Sequence, residues 1–123
     1  MSYIFNNNSY RSYSSEKSLE ERQIESDKVM KRFPERIPII VEPAIKDIME
    51  IDKKKYMVSK EMTLGQFIFI VRKRLKVDSS TALFFTVGGE LMTGCLDLGS
   101  IYDKNKNEDN FLYIKYTTEN TFG

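Results

Sequence analysis

The alternation of apolar and polar positions divides the middle of the chain into two strands and a helix. Residues 36–42 (RIPIIVE) are apolar on both faces, which is typical of a buried strand, although Pro38 is unusual inside one. Residues 54–59 (KKYMVS) alternate and predict a second strand with one buried face. Over residues 64–75, apolar residues recur every three or four positions after a capping box that starts at Thr63, which predicts the clearest helix of the chain.

Weaker patterns flank this middle part. A capping box and Pro34 delimit a helix over residues 19–33, but its apolar residues are sparse, and the sequence leaves open whether it is one helix or two. Residues 82–92 (ALFFTVGGELM) predict a strand, a turn at the two glycines and a short return strand. A short helix is expected from Asp97, and residues 111–117 (FLYIKYT) predict the last strand.

This order of elements predicts an α+β fold of the ubiquitin-like, β-grasp type. We expect about four main strands in a mixed sheet, a long helix packed across it, a hairpin of the first two strands, and a last strand that returns beside the first. The predicted organisation is a flexible N-terminal arm over residues 1–17, a domain over 18–117 and a flexible tail over 118–123. The sequence also allows the tyrosines of the arm to dock on the domain.

Composition narrows the chemistry that the chain can perform. The 123 residues carry a net charge of +1, which gives no argument for a nucleic-acid partner. There is no histidine and one cysteine, Cys95, so Ser-His and Cys-His nucleophilic pairs and histidine-containing zinc sites are excluded. No apolar run approaches the roughly 18 residues of a membrane span. We therefore expect a protein that is not an enzyme and that uses no metal, no cofactor and no nucleic acid.

Several long segments resemble one protein family. KRFPERIPIIVE, IDKKKYMVS, LGQFIFIVRKRL, ALFFTV and FLYIKYTTENTFG occur in the order in which the autophagy ubiquitin-like modifiers of the GABARAP type carry them. With the helix that precedes them, these segments cover about residues 18–123. The resemblance implies a β-grasp core with additional N-terminal helices, which would explain a sparse helix that packs on the outside of a complete fold.

The resemblance also implies a function for the last residue, Gly123. In this family the terminal glycine is adenylated by an activating enzyme, passed as a thioester to conjugating enzymes, and joined by an amide to phosphatidylethanolamine. The lipidated form acts on autophagosome membranes and recruits cargo receptors, whereas the unconjugated form is cytoplasmic. Glycine suits such an acyl donor because it has no Cβ to obstruct attack at its carbonyl carbon.

Two questions about this function stay open in the sequence. One is whether a cysteine protease must first expose Gly123. The other is whether the chain is instead a peptide-binding adaptor in vesicle traffic that is conjugated weakly or not at all. Either way, two acyl chains on the glycine would convert a chain without a membrane segment into a stably anchored one.

The family also binds short peptide motifs, in which an aromatic residue is followed by an aliphatic residue three positions later and is usually preceded by acids. The resemblance places this motif along the strand at residues 54–59, whose free edge would accept an extended peptide. The positions that match the pocket for the aromatic residue are Glu25, Val29, Pro38, Ile40, Lys55, Met57 and Phe111. The positions that match the pocket for the aliphatic residue are Tyr56, Val58, Met62, Phe67, Ile70 and Val71.

Cationic residues surround this region and would attract the acids of such a motif. They are Arg36, Lys53, Lys54, Lys55, Arg72 and Arg74. The alternatives are an ordinary core for the apolar positions and a solvated surface for the charges. Met57 and Met62 stand where leucine is more usual, so we expect motif binding to be retained with a shifted preference, because methionine adapts its shape.

Overall fold

The computed structural model describes residues 12–45 and 48–118. Gly123, with the rest of the predicted tail after residue 118, and the first eleven residues lie outside the described part. Within that part the helices are α1 (Tyr13–Glu16), α2 (Leu19–Arg32), α3 (Leu64–Leu75) and α4 (Leu98–Asn105), and the strands are β1 (Arg36–Pro43), β2 (Lys55–Ser59), β3 (Phe84–Val87), β4 (Glu90–Leu91) and β5 (Leu112–Thr117). No helix in these ranges is both long enough and apolar enough to cross a bilayer.

Both predicted capping boxes form, and each fixes the start of a helix. In α2, the Glu21 N–H donates to Ser18 Oγ at 3.1 Å and the Ser18 N–H donates to Glu21 Oε1 at 2.9 Å. In α3, Thr63 and Gln66 make the same reciprocal pair at 3.1 and 2.9 Å. The helix after Ser18 is continuous for 14 residues, which answers whether it is one helix or two.

The described strands form one mixed sheet in the order β2-β1-β5-β3-β4, which confirms the predicted β-grasp architecture. β1 and β2 are antiparallel, and β5 returns parallel to β1. The two-residue turn between β3 and β4 is made by Gly88 and Gly89 at positive φ. Pro38 is accommodated in β1 because it lies opposite Met57, one residue before the pairing of β1 with β5 begins at Ile39.

The two faces of the sheet are packed differently. We call the face that α3 and α4 cover the inner face; its core includes Ile39, Phe67, Leu98, Leu112 and Ile114, none of which is measurably exposed. The opposite, outer face carries a smaller apolar cluster of Tyr13, Ile40 and Phe111. Because successive residues of a strand point to opposite faces, Ile39 and Ile40 of β1 join different clusters.

Helix α2 is fastened to the outer face mostly by polar contacts. Arg22 Nη1 lies 2.7 Å from the buried Asp109 Oδ2, and Ser26 Oγ donates to the Asp109 carbonyl at 2.6 Å. Asp109 also accepts the Tyr113 hydroxyl at 2.5 Å and the Phe111 N–H at 2.9 Å. These bonds fix the start of β5 relative to α2, which carries Glu25 and Val29 toward β2.

Candidate functional site

Strand β2 lies at one edge of the sheet, as the sequence predicts. An edge strand presents backbone N–H and C=O groups that have no neighbouring strand on one side, and an extended peptide can pair with them. Tyr56 and Val58 of β2 are buried, whereas Met57 is half-buried and Lys55 is exposed. The strand therefore sends one set of side chains into the core and the other set toward α2.

A small cavity lies between β2 and α2. We call it the β2 pocket; its volume is about 70 Å³, and it is lined by Glu25, Val29, Lys55, Tyr56, Met57 and Phe111. Five of the seven positions that the sequence matched to the pocket for an aromatic residue line this cavity. The other two, Pro38 and Ile40, are buried beside it: Pro38 is paired with Met57, and Ile40 packs with Phe111. Tyr56, which the sequence assigned to the other pocket, also lines it.

The rim of the β2 pocket carries a carboxylate held by three donors. Glu25 Oε2 accepts the ammonium of Lys55, while Glu25 Oε1 accepts the hydroxyl of Tyr13 and lies 3.2 Å from Lys17 Nζ. Burial alone would raise the pKa of Glu25, but these hydrogen bonds outweigh it and lower that pKa to about 2. Glu25 is therefore ionised at neutral pH, and Lys55 and Lys17 leave the rim with an excess of positive charge.

The residues matched to the pocket for an aliphatic residue lie on the other side of β2, and most belong to the inner core. Tyr56, Val58, Phe67 and Val71 are buried there, with the rings of Tyr56 and Phe67 in edge-to-face contact at 5.3 Å. Met62 packs against this core, and Ile70 is 39% exposed on α3. The buried members would form the floor of an aliphatic pocket, whereas Ile70 lines a surface depression with Phe69, Lys73 and Arg74 that neither Met62 nor β2 borders.

One polar atom in that floor is unusual. The hydroxyl of Tyr56 is buried and has no hydrogen-bond partner among the described residues. Burial raises the pKa of Tyr56, so the group stays a neutral phenol. A buried donor without a partner is destabilising.

Most of the six cationic residues that the sequence placed around β2 have local contacts in the structure. Lys53 Nζ lies 4.9 Å from the centre of the Tyr56 ring. The guanidinium of Arg36 lies 5.6 Å from the centre of the Phe33 ring. Arg74 Nε binds Asp52 Oδ1 at 3.1 Å. Arg72 donates to the carbonyls of the segment after α3. Lys53, Lys55 and Arg36 are exposed and can meet the acids of an arriving peptide.

Sequence reasoning named neither Tyr13 nor Asp109, although each organises part of this region. Residues 12–17, which the sequence assigned to the flexible arm, include the one-turn helix α1, whose Tyr13 is 4% exposed. The signal that could have indicated it is the Ser12–Ser15 cap, in which Ser12 Oγ accepts the Ser15 N–H at 3.2 Å. Asp109 gave no signal, because its partners Arg22 and Tyr113 are distant in sequence or on the next strand.

Comparisons with known proteins show the family and the fold. Residues 21–123 match the family model described as "Autophagy protein Atg8 ubiquitin like". The chain is 48% identical to autophagy-related protein 8c of Arabidopsis thaliana over 113 residues, which are 91% of this chain and 95% of that protein. It is 42% identical to autophagy-related protein 8 of Mycosarcoma maydis over 112 residues, 90% of this chain and 95% of the relative.

A solved structure extends the likeness to three dimensions. The crystal structure of Trypanosoma brucei ATG8 matches with a TM-score of 0.83 and 38% sequence identity. The match covers 93% of this chain and 99% of that one. The family likeness therefore extends over the N-terminal helices and the sheet together.

Proposed function

Because the chain belongs to the Atg8 family of ubiquitin-like autophagy proteins, we propose that it is a modifier joined through Gly123 to phosphatidylethanolamine. The observation that carries the proposal is that the family match runs unbroken from α2 through Gly123. In this proposal the chain is the substrate of an activating and a conjugating enzyme. It is located in the cytoplasm and, once lipidated, on the autophagosome membrane.

The proposed conjugation first activates the Gly123 carboxylate and then transfers its acyl group three times. The Gly123 carboxylate attacks ATP and becomes an acyl adenylate, with release of pyrophosphate. A cysteine thiolate of the activating enzyme displaces AMP to give a thioester, which passes to a conjugating cysteine. The amine of phosphatidylethanolamine then attacks the thioester, so that an amide forms and the thiol leaves. Each step leaves this chain's own side chains unchanged.

We test conjugation with an N-terminally tagged chain expressed in starved cells. The wild-type chain should appear in the membrane fraction, with mass spectrometry showing the lipid on Gly123, whereas Gly123→Ala should stay soluble. Asn120→Ala is the matched control, because it changes the same tail without changing the acyl donor, and it should behave as wild type. If wild type and Gly123→Ala fractionate alike, the conjugation proposal is wrong and the unconjugated adaptor is favoured.

We also propose that the β2 edge receives cargo receptors through the aromatic-x-x-aliphatic motif. The edge strand supplies backbone pairing, the β2 pocket supplies a recess beside Met57, and the cations of its rim suit preceding acids. The aliphatic residue would lie over Met62 and Ile70. In this assignment, which the family resemblance supplies, the aromatic and aliphatic residues of the motif lie on the two sides of one strand.

The test must avoid core residues, because truncating Tyr56 or Val58 would unfold the inner face. Met57→Ala instead removes a half-buried wall of the pocket and should weaken binding of an acidic Trp-x-x-Leu peptide about tenfold. Met49→Ala, an equal truncation at an exposed methionine outside the pocket, is the control and should bind as wild type. Isothermal titration calorimetry that found equal affinities for Met57→Ala and wild type would exclude this docking site.

A further inference from the structure

Tyr13 is the buried residue that holds the described end of the N-terminal segment to the domain. Its backbone N–H donates to Oε2 of the buried Glu42 on β1 at 2.5 Å. Its ring packs edge-on against Phe111, with 5.3 Å between ring centres and 74° between ring planes, and it shares a cluster with Ile40. A residue this buried, with both backbone and ring engaged, is part of the domain.

The hydroxyl of Tyr13 connects this anchor to the rim of the β2 pocket. It donates to Glu25 Oε1, and the other oxygen of Glu25 accepts Lys55. The ammonium groups of Lys17 and Lys55 each lie 5.4 Å from the centre of the Tyr13 ring. The network therefore joins α1, the link to α2, α2 itself and β2 around a single carboxylate.

Tyr13 does not line the β2 pocket; it lies behind it. It contacts two of the six lining residues, Phe111 through its ring and Glu25 through its hydroxyl, and a third, Lys55, lies over its ring. A carboxylate that accepts a fixed phenol has its orientation set by that donor, because the phenol is held by packing on its other side. Tyr13 therefore fixes one wall of the pocket, Phe111, and the carboxylate at its rim, Glu25.

We propose that Tyr13 is a positioning residue for motif recognition, which orients Glu25 and Phe111 so that Lys55 faces an arriving acidic peptide. This inference rests on the proposed peptide-binding function. Without the hydroxyl, Glu25 Oε1 keeps only the ammonium of Lys17 and loses the donor that fixes its direction. Lys55, which Oε2 holds, is then no longer presented at one place on the rim. The N-terminal segment is then a component of the binding site, since one of its residues determines how the site presents its charge.

The test uses the full chain with Tyr13→Phe, which keeps the ring contact with Phe111 and removes only the hydroxyl. Affinity for an acidic Trp-x-x-Leu peptide should fall about fivefold, the order expected for one hydrogen bond to a charged group. Tyr116→Phe is the matched control: that hydroxyl donates to the Met49 carbonyl at 2.7 Å, and neither residue adjoins one that lines the β2 pocket. It should leave affinity unchanged.

A double-mutant cycle separates positioning from general loosening of the fold. In a Glu25→Gln background, Tyr13→Phe should change peptide affinity less than in wild type, because its effect passes through the carboxylate. An equal effect in both backgrounds, equal losses in Tyr13→Phe and Tyr116→Phe, or no loss in Tyr13→Phe would each overturn the proposal.

A second readout does not need the peptide. NMR titration of the Glu25 carboxyl carbon should show its pKa rising in Tyr13→Phe, because a stabilising donor has been removed. If wild type fails to bind the peptide, the proposed docking function fails, and the titration alone decides whether Tyr13 controls Glu25. An unchanged Glu25 titration in Tyr13→Phe would overturn the inference even if wild type bound the peptide well.

Discussion

The inner and outer faces of the sheet hold their helices by different means. On the inner face, α3 buries Leu64, Phe67 and Val71 almost completely, and its contacts there are apolar. On the outer face, α2 buries only Ser26 completely and relies on Arg22 and on hydrogen bonds to residues before β5. Apolar burial is non-directional, whereas ion pairs and hydrogen bonds fix positions and angles.

This difference has a functional consequence. A helix held by directional bonds presents its side chains in a defined register, and α2 is the helix that carries Glu25 and Val29 to the β2 pocket. The inner face holds the larger apolar core, and the outer face arranges the rim of the site. We expect substitutions on the two faces to separate accordingly in stability and in peptide binding.

The largest expected effect is on the inner face, at Phe67. Its side chain is fully buried between α3 and the sheet and contacts Tyr56 edge-on. Phe67→Ala should lower the free energy of unfolding by about 4 kcal/mol, from lost apolar burial and the cavity left behind. Because the chain has no tryptophan, urea unfolding followed by circular dichroism is the suitable measurement.

Phe69 provides the control for that substitution within the same helix. It is 60% exposed, so Phe69→Ala should change the free energy of unfolding by less than about 0.5 kcal/mol. Similar losses for both variants would show that α3 is not anchored through its inward stripe, and the contrast between the faces would then lose its basis.

The next effect is on the outer face, at Asp109. This carboxylate is fully buried and accepts Arg22, the Tyr113 hydroxyl and the Phe111 N–H. Asp109→Ala leaves Arg22 without its partner and should cost about 3 kcal/mol in the free energy of unfolding. The exposed Asp103 is the control, and Asp103→Ala should be close to neutral. Peptide affinity should also fall in Asp109→Ala, because α2 carries part of the pocket.

Peptide affinity in Asp109→Ala tests whether the polar contacts of the outer face also serve the binding site. If Asp109→Ala reduced stability as expected but left peptide affinity at the wild-type value, the polar contacts of α2 would be a stability feature only. Calorimetry at a temperature where both proteins are folded separates the two readouts.

The features that the sequence predicted and those that it missed divide between the two faces in the same way. The stripe of α3 and the alternation of β2 were visible because apolar burial repeats with the period of the element. The capping boxes at Ser18 and Thr63 were visible because their partners are three residues apart. Most of what depends on period or short spacing was therefore predictable, with the Ser12 cap of α1 as the exception.

The polar contacts of the outer face were not predictable in this way. Arg22 and Asp109 are 87 residues apart, and Tyr13 and Glu42 are 29 apart, so no local pattern connects them. Family resemblance placed Glu25, Lys55 and Phe111 in one pocket, but it did not indicate that Tyr13 fastens that pocket from behind. Composition alone made residues 12–17 resemble an arm, and the buried ring of Tyr13 agrees with the alternative that the sequence left open, a tyrosine docked on the domain.

A smaller effect is expected at the two helix starts, one for each face. Ser18→Ala and Thr63→Ala each remove a capping box, and each should cost about 1 kcal/mol in the free energy of unfolding. Equal losses would mean that the faces differ only in how the bodies of their helices pack. If Ser18→Ala were neutral while Thr63→Ala cost the full amount, α2 would be fixed by its tertiary bonds alone.

The smallest expected effect is the pH dependence contributed by Glu25. The pKa of Glu25 is about 2 in the folded chain, and about 4.3 is the ordinary value for an unfolded chain. A carboxyl group with a depressed folded pKa stabilises the fold above the unfolded pKa and loses that contribution as the pH falls through the folded one. Wild type should therefore exceed Glu25→Gln by less than about 1 kcal/mol at neutral pH, since the group is partly exposed and screened.

That difference should shrink between about pH 4.3 and pH 2 and then disappear. Urea unfolding of both proteins across this range measures it, with the difference taken at each pH so that the other carboxyl groups cancel. Lys55→Met supplies the check on the cause: with the strongest donor gone, the wild-type excess over Glu25→Gln should be smaller at every pH. A difference that persisted unchanged at pH 2, or that was the same in the Lys55→Met background, would show that Glu25 stabilises the fold by packing. The outer face would then be held by packing, as the inner face is.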